Sequence, residues 1–311
     1  MKTVLVTGGA GFIGSNLAEA LIAQGMDVRV LDDLSSGYSV NLERIPEASF
    51  LEGSVTDAAA VDEAVRGCDV VFHLAASVGN KRSIDDPLFD ATTNLLGTLN
   101  VLEAMREHEV GKIVYSSSAG IFGELKILPI AEDHPAEPDS PYGVSKLAAE
   151  KAVLAYAKLY AIQGVALRYF NVYGPHQRFD QYGNVIPIFV FQMLRGEPVT
   201  IFGDGEQTRD FLNVADVVQA NVKAALVEGL SGAFNIASGA RISINDLASR
   251  LAELVGGDVM IGHGDPRPGD VLHSLADVSA ARENFGFEPE VDIADGLAEY
   301  VAWARDEVAR H

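Results

Sequence analysis

One cysteine and one tryptophan serve the whole chain of 311 residues. A lone thiol, Cys68, cannot close an internal disulfide, so a disulfide scaffold is excluded and the reducing cytoplasm is the natural compartment. Basic residues are also scarce: 23 Lys and Arg stand against 44 Asp and Glu, a formal net charge of −21. That field repels nucleic acid, and no basic stripe along the chain overturns it. An anionic ligand would therefore need its own local arginines. No apolar run approaches the roughly 18 residues of a membrane span. The opening MKTVLVTGGAGF carries an apolar stretch too short for a signal peptide. No metal site is expected.

What is present is ordinary for a globular protein: 48% apolar and 22% charged residues, enough for a sizeable core. Strand-like runs (KTVLVT, DVRVLD, ASFLEG, DVVFHLA, KIVYSSS, GVALRYF) alternate with amphipathic stretches such as SNLAEALIAQG and PLFDATTNLLGTLNVLEAMREH. This alternation predicts an α/β fold, a doubly wound parallel sheet covered by helices on both faces. The texture changes near residue 171. We expect a first unit over 1–170, with later returns near 212–238 and 275–290, and a smaller α/β substrate-binding unit mainly over 171–311.

The stretch TGGAGFIGS follows the first strand directly and opens a helix. Gly8, Gly11 and Gly14 are spaced for a tight turn, a close approach to a pyrophosphate and close helix–strand packing. The helix start, with Phe12 and Ile13, then offers free N–H groups and a positive dipole end to phosphates. Asp32 closes the second strand 18 residues after Gly14, near the spacing of an acid that binds adenosine ribose hydroxyls. A carboxylate there repels a 2′-phosphate, which favours NAD over NADP. The competing role for Asp32 is to cap the turn in DDLSSG.

PYGVSK places Tyr142 and Lys146 four apart. On a helix such residues share a face, with Cβ atoms about 5–6 Å apart. Free in water, the two groups keep their protons to about pH 10 and 10.4. A cation held beside the phenol favours the phenolate and lowers its pKa. The plain alternative is a surface tyrosine next to a solvated lysine.

Taken in order, TGGAGFIGS, DDLSSG, HLAA, YSSSAGIFG, YGVSK, LRYFNVYGP, QTRDF, NIASG and RPGD make the chain resemble the extended short-chain dehydrogenase/reductase family. The likeness spans essentially the whole chain. It is closest to the nucleotide-sugar epimerase branch that contains UDP-glucose 4-epimerase. The resemblance implies a Rossmann-like fold, NAD as cofactor, a nucleotide-sugar substrate (UDP-linked) and a homodimer formed through the helical segments 88–108 and 141–162. It makes Tyr142 the acid/base at a sugar hydroxyl, Lys146 its partner and a ligand of the nicotinamide ribose, and Ser118 the hydroxyl that helps pass the proton. For the cofactor it adds Asp33, Ser36 and Gly37 in DDLSSG, then Ser54 and Val55. Leu74, Ala75 and Ala76 in HLAA follow, together with Asn94, Ser116 and Tyr169. For the substrate it implies Arg209 and Arg267 on the diphosphate or nucleoside, Asp270 on the nucleotide ribose, Asn171 and Asn184 on phosphate or sugar, and Ser83, Val185 and Ile201 alongside them.

Dehydratases of this family carry an Asp–Glu pair just after the serine, and the uronic-acid decarboxylases a glutamate. This chain has Ala119 and Gly120 there. The resemblance then leaves oxidation and reduction at one carbon, a 4-epimerisation of a UDP-hexose through a transient 4-keto sugar. A dehydratase, decarboxylase or reductase is the alternative reading, and a non-enzymatic NAD-binding scaffold the third. Some positions depart from the pattern. Ser54 stands where an acid commonly accepts the adenine amino hydrogen, so weaker NAD retention is expected. Phe122 replaces a more common tyrosine, removing a hydroxyl near the sugar. Lys81 and Arg82 are either solvated loop charges or contacts for an anionic sugar, and the sugar itself stays open.

Overall fold

The protein is described here by a computed structural model covering residues 2–180, 183–266 and 271–310. Its centre is a seven-stranded sheet in the order β11-β6-β5-β4-β1-β2-β3. The strands are β1 Thr3–Thr7, β2 Asp27–Asp32, β3 Ser49–Glu52, β4 Val70–His73, β5 Lys112–Ser118, β6 Gln163–Tyr169 and, from the far end of the chain, β11 Gly232–Ile236. Every pairing in this sheet is parallel. The chain reverses its winding between β1 and β4, the switch point where doubly wound sheets open a crevice.

Strands buried on both faces read as continuous apolar runs rather than alternating ones, and β1 shows why. Val4 and Val6 enter one core, while Leu5 between them enters the other. On the first side lie α1 Phe12–Ala23 and α9 Val214–Leu226, through Leu17, Leu21, Val217 and Ala220. On the second lie α3 Ala58–Val65, α6 Gly97–Glu107 and α7 Pro141–Leu159, through Val61, Val101, Leu102 and Val153.

The stretch expected as one long helix is broken in three. α5 Pro87–Ala91 passes into a π-helical turn, Thr92–Leu96, and then into α6. Two further short helices are α2 Ser39–Leu42 and α4 Asn80–Asp85. In the second half, β8 Val199–Phe202 pairs with β13 Ile261–Gly264, β9 Thr208–Arg209 with β12 Ile242–Ser243, and β10 Phe211–Asn213 with β7 Asn171–Tyr173. A third core unites α8 Val185–Leu194, α10 Ile244–Val255 and α12 Ile293–Arg310 through Ile186, Leu247, Leu251 and Tyr300, while α11 Ser279–Phe285 packs beside β11. Among the described residues no helix is long and apolar enough to cross a membrane.

Candidate active site

The motif residues converge at the C-terminal ends of the large sheet's strands. After β1 the chain turns through Gly8, whose φ of +72° is a left-handed conformation that side chains rarely adopt. A Cβ on Gly8 would stand 2.7 Å from the Ala75 nitrogen, so the HLAA loop lies directly against the glycine turn. At Gly14 a Cβ would meet the Gly8 carbonyl oxygen at 2.1 Å. Only glycine lets the start of α1 sit this close to the strand end, which presents Phe12, Ile13 and the first free N–H groups of the helix to the crevice.

Asp32, at the end of β2, is 7% exposed. Its carboxylate accepts the Ala10 N–H and the Leu34 N–H, both at 2.9 Å, and burial raises its pKa above the usual carboxylate value. Capping the turn and facing the glycine loop are thus joined in one residue. Asp33 caps Ser35 nearby, Ser36 is exposed, and a Cβ on Gly37 would lie 2.9 Å from Asp32 Oδ1. Ser54 is half-buried and binds Thr56, while the Val55 carbonyl accepts from Asn100. Buried Ser77 holds a hydroxyl with no partner on the same side of the crevice, just after Leu74, Ala75 and Ala76. The glycine cradle, the two-handed Asp32 and this orphan hydroxyl suit a dinucleotide.

Ser118 ends β5 and accepts the Gly120 N–H at 3.1 Å. Its hydroxyl hydrogen-bonds the Tyr142 phenol. The two groups flank one spot: a Cβ on Gly120 would lie 3.4 Å from Ser118 Oγ and 3.5 Å from Tyr142 Cε1. Tyr142 occupies the first turn of α7, which Ser140 caps by accepting the Gly143 N–H, with Pro141 pre-set at the first helical position. One turn on, Lys146 is 2% exposed and its Nζ lies 4.6 Å from the centre of the Tyr115 ring.

The electrostatics differ from the expectation drawn from spacing. Burial dominates at both residues. It raises the Tyr142 pKa, against the lowering effect of Ser118 and with a further rise from Asp90. It also pulls Lys146 down to about 7, although Asp90 and Glu150 push it up. Desolvation of two buried groups outweighs a pairing that spacing alone would favour.

Asn94 sits in the π-helical turn, and the extra residue of that turn aims its side chain inward. Its Oδ1 accepts the Ser77 N–H at 2.8 Å, and its Nδ2 donates to the Ser77 carbonyl and Asp90, both at 3.0 Å. Tyr169 bonds Asn221 and Ser116, tying the ends of β5 and β6 together. Ser83 binds the Asn80 carbonyl in α4, whose Asn80 side chain accepts from Ser140 at the cap of α7.

The substrate-side residues are placed less uniformly. Asn171 donates to the Asp210 carbonyl at 3.1 Å, next to Arg209, whose Nη1 binds the Thr208 carbonyl. Asn184 stands at the N-cap position of α8 beside Val185, and its side chain, making no capping bond, donates to the Val172 carbonyl at 3.5 Å. Ile201 is turned into the third core at 1% exposure, so its side chain faces away from the surface. Phe122 is also 1% exposed, packed against Arg168, His134 and Phe170. Arg82 is paired with Asp180 at 2.7 Å. Arg267 and Asp270 lie outside the described residues. Motif reading passed over Asp90, Ser145, Glu150 and Arg168. The i,i+4 spacing of Asp90 and Asn94 and of Lys146 and Glu150 was the available signal. Among the described residues no group of His, Cys, Asp and Glu is arranged to hold a metal ion.

A switch-point crevice with a glycine cradle on one side and a Ser–Tyr–Lys cluster on the other defines a dinucleotide-dependent enzyme architecture. Residues 4–237 match the NAD dependent epimerase/dehydratase family, and the chain belongs to it. NAD is the cofactor this membership carries. The chain is 40% identical to UDP-glucose 4-epimerase of Mycolicibacterium smegmatis over 98% of its own length and 99% of the relative. It is 34% identical to dTDP-glucose 4,6-dehydratase of Streptomyces niveus, over 97% and 93%. The crystal structure of UDP-glucose 4-epimerase from Thermotoga maritima with UDP-glucose superimposes with a TM-score of 0.93 at 40% identity, covering 98% of this chain and 99% of that one.

Proposed function

We propose that the protein is a NAD-dependent 4-epimerase of a UDP-hexose, working in the cytoplasm through a transient 4-keto sugar. The observation that carries this reading is the composition of the cluster itself. Ser118 and Tyr142 flank one spot, and the next two positions are Ala119 and Gly120, with no carboxylate to eliminate water or steer a decarboxylation. The only thiol, Cys68, is buried and too basic for a second acid/base, because burial raises its pKa.

In this reading Tyr142 takes the proton of the sugar 4-hydroxyl and gives it back, with Ser118 as the bridge. Bound NAD supplies a reversible hydride acceptor and a positive charge. Gly8, Gly11, Gly14 and Asp32 hold the dinucleotide. Lys146 holds positive charge near the phenol, which burial alone would keep protonated. Asn171, Asn184 and Arg209 are proposed to grip the nucleotide diphosphate, as are Arg267 and Asp270 from the sequence, in the part of the chain that runs mainly over 171–311. A tight hold there leaves the sugar free to turn its other face.

The dehydratase relative makes a dehydration the second reading, with loss of water as its mark. The test is to incubate the purified protein, without added cofactor, with UDP-glucose, UDP-N-acetylglucosamine and UDP-glucuronate separately, following anomeric protons by NMR and product mass. A galacto-configured product of unchanged mass supports the proposal, whereas loss of water or carbon dioxide overturns it. Tyr142→Phe should cut turnover by at least about a hundredfold, the lower range for a lost acid/base group, while NAD content stays near that of the parent. Substantial turnover in that variant would remove Tyr142 from its role.

A further inference from the structure

Asp90 is a carboxylate with no exposed surface, lying outside every motif that marks the site. Its Oδ1 accepts from Ser145 Oγ at 2.5 Å and its Oδ2 from Asn94 Nδ2 at 3.0 Å. Asn94 Nδ2 also reaches Ser145 Oγ at 3.0 Å, so the three side chains form one closed set. Neutral hydrogen bonds only partly offset the cost of burying a carboxylate, and a buried charge needs an opposite charge. Lys146 follows Ser145 directly and is itself 2% exposed.

The other titratable groups around this lysine are already committed. Glu150, one turn along α7, accepts from Arg168 Nε and Nη2 at 3.0 and 2.8 Å. His73 on β4 is held between Thr7 and Thr98, Tyr115 on β5 presents its ring to Lys146, and Tyr142 bonds Ser118. From α4, Lys81 and Arg82 pair with Asp85 and Asp180 instead. Asp90 is the neighbouring anion left without a guanidinium of its own. Burial raises the pKa of Asp90, opposed by Ser145 first and by the charge of Lys146 second, while Asp90 is the leading influence that opposes the burial of Lys146.

We propose that Asp90 is a positioning residue that keeps Lys146 charged, a buried counter-ion fixed from α5 by Ser145 and Asn94. It rests on reading Tyr142 and Lys146 as the reacting pair, and acts on the reaction only through that lysine. Without Asp90 the ammonium would be buried with its one nearby anion already neutralised by Arg168, and it would release its proton.

The test uses the protein as purified with its dinucleotide, labelled with ¹³C at lysine Cε, the Lys146 signal being assigned by its loss in Lys146→Met. In Asp90→Asn the titration midpoint of Lys146 should fall by about one pH unit or more, the usual effect of losing a close opposite charge. The alkaline limb of kcat/KM should move down with it. Ser145→Ala, which removes a hydrogen bond and keeps the carboxylate, should move the midpoint far less. If Asp90→Asn does not fold, ¹³Cγ of Asp90 in the parent protein should show an inflection at the Lys146 midpoint. An unmoved midpoint in Asp90→Asn, or a parent Asp90 signal blind to Lys146, overturns the proposal. A shifted midpoint in a protein that converts no nucleotide sugar upholds it while sinking the epimerase reading.

Discussion

His73 shows how far a single side chain can be read from its contacts. It has no exposed surface, with Nδ1 2.7 Å from Thr7 Oγ1 and Nε2 2.9 Å from Thr98 Oγ1. Thr98 donates its proton to the Asn94 carbonyl, so the ring must donate through Nε2. Thr7 Oγ1 accepts the Leu74 and Ala75 amides, so its own proton goes to Nδ1. The network therefore holds a neutral imidazole. Burial first, and the charge of Lys146 second, pull its pKa down to about 3 from 6.5. A depressed pKa contributes stability that is complete above pH 6.5 and is lost as pH falls toward 3, at about 1.4 kcal/mol per unit. His73→Gln should be less stable than the parent at pH 7, and the gap in urea unfolding should narrow by that slope between pH 6.5 and 4. A gap that stays constant across this range would show that the histidine is charged in the folded protein.

At the scale of the element, α7 works as a single part. Tyr142, Lys146 and Glu150 occupy one face at intervals of four, and the same stripe carries the phenol proposed to react, the ammonium proposed to assist it and a structural anchor. The anchor is the pair of Glu150 with Arg168 on β6, the two side chains 0% and 6% exposed. Ser117 Oγ adds a bond to Glu150 at 2.7 Å, and Arg168 Nη1 donates to the Glu132 carbonyl. Removing one member leaves the other as an unpaired buried charge, so Arg168→Met should cost about 3–5 kcal/mol in denaturant unfolding. The double change Arg168→Met with Glu150→Leu should recover much of that loss. If the double variant were as unstable as the sum of the single ones, the pair would have no coupling and the anchor would lie elsewhere.

For the whole molecule, α5, the π-helical turn and α7 carry exposed apolar side chains. Leu88 is 80% exposed, Val144 54% and Leu96 51%, and a groove of about 460 Å³ is lined by Val144 with Pro87, Ala91, Leu95 and Ala148. Exposed apolar side chains gathered beside a groove mark an interface. We propose that it is where two copies pair, as the sequence resemblance implied. Light scattering should then give twice the 33.1 kDa of one chain, and Leu96→Glu with Val144→Glu should yield a folded monomer. A parent protein that runs as a monomer at micromolar concentration would remove the homodimer.

The sequence by itself determined the α/β alternation, the glycine turn, Asp32, Ser118 and the Tyr142–Lys146 pair. Each of these is a short-range pattern, in which periodicity or fixed spacing states the backbone geometry directly. Only the tertiary structure decided which charges those residues meet. Asp90 reaches Ser145 across 55 positions, and Arg168 reaches Glu132 across 36. The π-helical turn that aims Asn94 inward, the inward rotation of Ile201 and Phe122, and the return of β11 to the large sheet follow from packing between distant segments. The pKa values of Tyr142 and Lys146 belong with them, because desolvation depends on what covers a group, and no spacing along the chain records that.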